Sequence, residues 1–304
     1  MRIAVAGASG LIGRALCRLL AETEHEVTAL VRNPTAARTV LPESVSVIQW
    51  NVDVSVDWES TVAEADAVIN LAGEPLNGQR WNGEYKRLLR ASRIETTHAL
   101  VRTWRNAERE GGVLVNASAV GYYGDCGEAP LTEDCRQGDG FLAELCGDWE
   151  DEALKAQELE ARVVLLRTGI VLARDRGALP RLVKPFRWFV GGPLGSGRQW
   201  MPWIHIEDAA QMILWAIEET SVSGPINVCA PHPVRMREFA STLGIVLNRP
   251  ALVPVPGFVL SLLLGEMAQT ILASQRAVPD VASRGGFQWK HPRLMPALRS
   301  LLRT

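Results

Sequence analysis

The sequence predicts an α/β fold, a doubly wound parallel sheet of the Rossmann kind with a smaller, mostly helical C-terminal substrate domain. Three observations carry this. Apolar runs of strand length alternate with helix-period stretches over the first two thirds of the chain. A glycine loop, GASGLIG at Gly7 to Gly13, lies between the first such run and the first helical stretch. From Leu172 onward the pattern turns into glycine, proline and aromatic residues, followed by a helical tail with proline breaks.

The elements follow in order. Strands are expected at Arg2 to Ala6, Glu26 to Val31, Ser46 to Gln49, Ala67 to Leu71, Val113 to Ala117 and Val163 to Thr168, each a short apolar or β-branched run. Helices are expected at Gly10 to Ala21, Gly83 to Ala107 and Phe141 to Glu160, the last with Leu142, Leu145, Trp149 and Ala153 on one face. Gly177 to Pro202 reads as ordered, loop-rich structure, followed by a helix at Ile206 to Glu218 and a returning strand at Pro225 to Cys229. The dinucleotide domain is therefore placed at 1–171 with 204–230 returning to it, and the cap at 172–203 and 231–304.

Composition narrows the function. The 304 residues carry 32 Lys and Arg against 34 Asp and Glu, a net charge of -2 with no basic stripe, so no nucleic-acid partner is expected. The five cysteines form no CxxC pair and leave an odd count, so no metal site or disulfide framework is suggested and a reducing cytoplasm fits. The chain opens on a core strand with no signal-peptide pattern. Phe258 to Leu264 is apolar but too short to span a bilayer; it reads as an amphipathic or buried helix, and no membrane partner is expected.

In the glycine loop, Gly7, Gly10 and Gly13 let the backbone approach a pyrophosphate, while the amides around Leu11 and Ile12 and the helix dipole attract its charge. The tip of the second strand meets the adenosine ribose. It ends in Arg32 with no acid, which predicts NADP(H) with Arg32 on the 2′-phosphate and Ser9 adding a hydroxyl. Leu71, Ala72 and Gly73, after Asn70, give a small-residue strand end against which the cofactor can lie.

These motifs, with NASAVGYYG at Asn116 to Gly124 and WIHIED at Trp203 to Asp208, resemble an extended short-chain dehydrogenase/reductase of the NAD-dependent epimerase/dehydratase superfamily. GEPL at Gly73 to Leu76, Arg80 with Trp81, and SRIETT at Ser92 to Thr97 resemble its YfcH-like branch. That branch carries a short C-terminal domain of unknown function, matching roughly Ala251 to Leu298. Some relatives are described as cell-division inhibitors.

The resemblance implies a Ser, a Tyr and a Lys, the last two spaced YxxxK on one helix, so that Lys lowers the Tyr pKa and Tyr exchanges the substrate proton. No YxxxK occurs here. With Phe141 or Leu142 at the Tyr position, the Lys position becomes Leu145 or Cys146. Ser118 stands where the family serine is expected, though a serine at a strand end serves structure equally well.

Tyr123 is the first candidate for a replacement proton donor and Glu144 the second. Arg80 and Arg93 are candidates for an acidic substrate, and Trp81, Trp149, Trp200 and Trp203 for aromatic cleft walls, with packing as the competing reading. His205 is expected to order a helix start. The implied activity is an oxidoreductase or isomerase acting on a small molecule with a non-standard proton donor. The alternative is a non-catalytic NADP(H)-binding redox sensor or regulatory protein. A homodimer is compatible with either.

Overall fold

A computed structural model describes residues 1–51, 58–108 and 110–302. Seven parallel strands form the central sheet: β1 (Arg2–Ala6), β2 (Glu26–Val31), β3 (Ser46–Gln49), β4 (Ala67–Asn70), β5 (Val113–Ala119), β6 (Arg162–Thr168) and β7 (Gly224–Val228). Their spatial order is β7-β6-β5-β4-β1-β2-β3, so the direction of winding reverses between β1 and β4. A crevice opens at such a switch point, beyond the carboxyl ends of the strands, and receives the ligand in folds of this type.

Both faces of the sheet are covered. Ile3 and Val5 of β1 point to one side, where Leu16, Cys17 and Leu20 of α1 (Leu11–Leu20) and the inner face of the later helix Ile206–Glu218 pack over them. Ala4 and Ala6 point to the other side. There they meet Trp58 and Val62 of the helix Trp58–Glu64, and Leu100 and Trp104 of the 24-residue helix Gly83–Asn106. This alternation of a two-residue period against helices on each side is the physical content of a doubly wound sheet.

Named in chain order, the helices are α1, α2 (Pro34–Arg38), α3 (Trp58–Glu64), α4 (Gly83–Asn106), α5 (Phe141–Leu154), α6 (Leu179–Arg187), α7 (Ile206–Glu218), α8 (Met236–Leu247), α9 (Gly257–Leu264), α10 (Ala268–Leu272), α11 (Asp280–Arg284) and α12 (Leu294–Leu302). A separate apolar cluster joins α6, α8 and α12 around Trp203 and Phe239.

Two elements differ from expectation. The segment 177–202 contains α6 despite its prolines: Pro180 sits in the first turn, where the missing N–H is unneeded, and Pro185 lies near the end. The apolar run at Phe258 to Leu264 is helical, but of α9 only Leu260 is buried, while Phe258, Leu262 and Leu263 face solvent. No helix among the described residues is long and apolar enough to cross a membrane.

Candidate functional site

The glycine loop closes on itself at the crevice. Gly7 has φ +76° and accepts the Gly10 amide at 2.9 Å. A Cβ on Gly7 would lie 2.7 Å from the Leu71 carbonyl, and one on Gly13 would lie 2.4 Å from the Gly7 oxygen. Backbone atoms fill both spaces, so side chains are excluded for steric reasons. Gly10 caps α1 without a side-chain bond, which leaves the amides of the first turn, Leu11, Ile12 and Gly13, for a ligand. Ser9 is half-buried, and its carbonyl accepts Arg14 Nε at 2.7 Å. The cradle thus fits a dinucleotide pyrophosphate.

Arg32 follows β2 with its side chain 85% exposed, and its nearest anion is Glu74 Oε2 at 3.6 Å. That contact is longer than a charge-assisted hydrogen bond, so the guanidinium fork keeps its donors. At the end of β4, Asn70 is buried and donates to Asn116 Oδ1 at 2.7 Å and Thr97 Oγ1 at 2.9 Å, while the Ala72 amide donates back to Asn70 Oδ1 at 3.2 Å. This bonding holds Leu71, Ala72 and Gly73 as one wall of the crevice.

The expected catalytic residues have other partners. Ser118 of β5, Arg167 of β6 and Asn227 of β7 are register neighbours, so their side chains share one face of the sheet. Ser118 Oγ donates to Glu150 Oε1 at 2.6 Å, and Arg167 grips the same carboxylate through Nε at 3.0 Å and Nη2 at 2.8 Å. Tyr123, 0% exposed, donates to Asn227 Oδ1 at 2.8 Å and accepts from Arg167 Nη1 at 3.1 Å. Burial pushes the Tyr123 phenol up, outweighing the opposing pull of Arg167.

Tyr123, expected to exchange protons in the crevice, and Ser118, expected at the family serine position, are both buried within this interior network. Leu142 and Cys146 of α5, one of the two pairs at the YxxxK spacing, both lie against Gly121. Burial raises the Cys146 pKa to about 11 and so keeps it a neutral thiol, and a thiol in either protonation state supplies no cation in place of lysine. Glu144, in the first turn of α5, is exposed.

Most of the proposed substrate residues also support the scaffold. Arg93 donates to the Leu89 carbonyl at 2.9 Å and the Glu74 carbonyl at 3.0 Å, and its guanidinium stacks on Trp149 at 5.2 Å. Trp149 Nε1 donates to Thr97 Oγ1 at 2.8 Å, and Trp81 Nε1 to the Leu76 carbonyl at 2.7 Å with its ring edge-on to Phe141. Trp203 is 1% exposed within the α6, α8 and α12 cluster. Hydrogen bonds or close packing thus engage all four within the scaffold, Arg93 put forward for an acidic substrate and the three tryptophans for the cleft wall. Arg80 remains exposed and lies against Gly265.

Two arginines that the sequence reading did not single out flank Trp200. Arg235 and Arg276 stack on its ring at 4.5 and 4.9 Å. Arg235 is committed to Glu128 through two bonds at 2.9 and 2.6 Å, whereas Arg276 Nε is buried without a hydrogen-bond partner. Gln275, next in the chain, donates to the Val120 and Gly124 carbonyls at 3.0 and 2.9 Å, which places Arg276 beside the segment beyond β5.

The NAD-dependent epimerase/dehydratase family matches residues 3–229, and a C-terminal domain of unknown function, DUF1731, matches 255–301. The chain belongs to the NAD-dependent epimerase/dehydratase family. It is 40% identical to the chloroplastic epimerase family protein SDR39U1 homolog of Arabidopsis thaliana, over 99% of this chain and 87% of that protein. It is 39% identical to the epimerase family protein YfhF of Bacillus subtilis, over 99% and 98%. The crystal structure of human epimerase family protein SDR39U1 with NADPH superposes with a TM-score of 0.85, at 34% identity and 99% coverage of both chains.

His205 opens α7, its Nδ1 accepting the Glu207 amide at 3.1 Å and its Nε2 meeting Ser300 Oγ at 3.2 Å. His205, Glu207 and His291 bring ligand atoms within 4.8 Å of one another. Both His205 nitrogens are engaged, however, and the Lys290 ammonium holds Glu207 at 2.8 Å, an arrangement that opposes a cation.

Burial, with His291 beside it, holds the His205 pKa down at about 4. The unfolded imidazole protonates near pH 6.5, so the unfolded chain binds more protons between that pH and about 4. Stability should be flat above this window and fall through it by about 1–2 kcal/mol after allowance for solvent screening. His205→Asn keeps a capping acceptor and should remove this slope when urea midpoints are compared across pH.

Proposed function

We propose that the protein binds NADP(H) in the crevice between β1 and β4 and carries out redox or isomerase chemistry on a small anionic molecule without a Ser–Tyr–Lys relay. The observation that carries the cofactor reading is Arg32, a cation at the tip of β2 with donors to spare and no acid in the ribose-binding position. The side-chain-free cradle at Gly7 and Gly13 and the NADPH of the human relative support it. Bound there, the nicotinamide supplies a hydride donor or acceptor.

The chain's own residues divide the remaining work. The first-turn amides of α1 hold the pyrophosphate, Arg32 the 2′-phosphate, and the Arg276 guanidinium, beside the Trp200 ring, meets the substrate's negative group. Glu144 exchanges the substrate proton, being the candidate left exposed once Ser118 and Tyr123 are buried. A second reading, a non-catalytic NADP(H)-responsive sensor, is favoured by the burial of those same two residues.

The cofactor reading is tested by titrating NADPH and NADH into wild type and Arg32→Ala. A charged hydrogen bond contributes about 1.5–3 kcal/mol, so NADPH affinity should fall about 10- to 100-fold while NADH affinity stays unchanged. Equal wild-type affinity for the two dinucleotides overturns the assignment. The two activities are separated by single-turnover hydride transfer to a panel of carbonyl acids. Turnover that is lost in Glu144→Gln supports the enzyme, and failure with every acid while NADPH binds supports the sensor.

A further inference from the structure

We propose that the face formed by the turn after α6, the 249–253 segment and α9 docks on an anionic membrane surface. Of the eleven large hydrophobic side chains exposed among the described residues, nine fall in 188–190 and 245–263. Trp188 is 73% exposed and Phe189 59%, while Phe258, Leu262 and Leu263 of α9 are each 67–75% exposed. Isolated exposed hydrophobics are ordinary, but a gathered set of this size marks a binding surface.

The segments are neighbours in space. Val253 donates its amide to the Gly191 carbonyl at 3.0 Å and Val255 to Pro193 at 2.9 Å, so the chain entering α9 runs beside the chain leaving the Trp188 turn. The Arg249 guanidinium lies 4.5 Å over the Phe189 ring, closing the gap from α8.

Charge decides the occupant. No Asp or Glu occurs between Asp175 and Glu207, a stretch with five Arg and Lys, and none between Glu238 and Glu266, which holds Arg249. Arg181, Lys184 and Arg187 are exposed and have no ion-pair partner among the described residues. A second copy meeting this face through a two-fold axis would set the same cations against each other. An anionic lipid surface instead satisfies the cations while the headgroup region takes Trp188, Phe189 and the apolar side of α9. α9 has eight residues, so it lies along the surface and does not cross it.

The test uses the full chain in co-sedimentation with phosphatidylcholine vesicles and with vesicles containing about one third phosphatidylglycerol at physiological salt. Strong partitioning onto the anionic vesicles alone is expected. Reversing three cations in Arg181→Glu, Lys184→Glu, Arg187→Glu should weaken it by about 100-fold or more.

Phe258→Ser with Leu262→Ser should weaken it by about tenfold or more through lost apolar burial. Neither variant touches the cradle or Arg32, so unchanged NADPH titration shows that each is folded; circular dichroism does so independently of the cofactor reading. Equal partitioning on neutral and anionic vesicles, or none on either, overturns the proposal. So does concentration-dependent dimerisation in analytical ultracentrifugation that both variants abolish.

Discussion

Gly13→Ala should abolish measurable NADPH binding while leaving the sheet intact. The added Cβ would sit 2.4 Å from the Gly7 oxygen and 2.7 Å from Ala8 Cα, and both are backbone atoms that cannot rotate away. Either the loop or the start of α1 must move. Overpacking of this kind costs about 1–3 kcal/mol of stability.

The larger consequence is for the ligand. The amides of the first turn have to converge on one phosphate group, and each charged hydrogen bond lost removes about 1.5–3 kcal/mol, so misplacing two weakens binding by more than about 100-fold. Isothermal titration with NADPH, beside circular dichroism and a thermal melt, separates loss of the site from loss of the fold. Wild-type affinity in Gly13→Ala would show that the ligand does not use this loop.

Arg167→Ala should be the most destabilising change, lowering unfolding free energy by about 3–5 kcal/mol in urea denaturation. Among the described residues the substitution leaves the buried Glu150 carboxylate with only Ser118 Oγ to hold it, and it strips the Tyr123 hydroxyl and the Glu133 carbonyl of a donor. Arg167 also stacks on the Tyr122 ring at 3.5 Å. Glu150→Met combined with Arg167→Met should recover much of the loss, because no unpaired charge then remains in the interior. Equal destabilisation in the double variant would indicate that packing on Tyr122, and not charge pairing, carries the effect.

The sheet was largely legible in the sequence because its strands are local apolar runs, and the cradle because glycine spacing reports backbone geometry directly. α6 was not, since Pro180 and Pro185 imitate a loop; their tolerance depends on position within the helix. The partners of Ser118 and Tyr123 were hidden for a different reason. Where a strand-end hydroxyl points depends on what lies beside it on the next strand, here Arg167 and Asn227, and register between distant segments is not a local property. One signal was available: a charged residue within the apolar strand run Val163 to Thr168 requires a buried counter-charge, which Glu150 supplies. The contacts of the tryptophans were hidden in the same way, because Thr97, which receives the Trp149 N–H, lies 52 residues away.

The loop beyond β5 has a bearing on how the protein is made. Its anchors come from far along the chain: Ser274 bonds to Asp125 and Gly127, Gln275 to Val120 and Gly124, and Glu133 receives the amides of Asp280 and Val281. During synthesis the sheet strands through β7 emerge before any of these residues. A nascent chain released before residue 274 would present a finished nucleotide cradle and an untethered loop beyond β5. Anchoring of this loop thus waits on the last stretch of translation, and a truncated product would carry the cradle without the tethers that fix its neighbour.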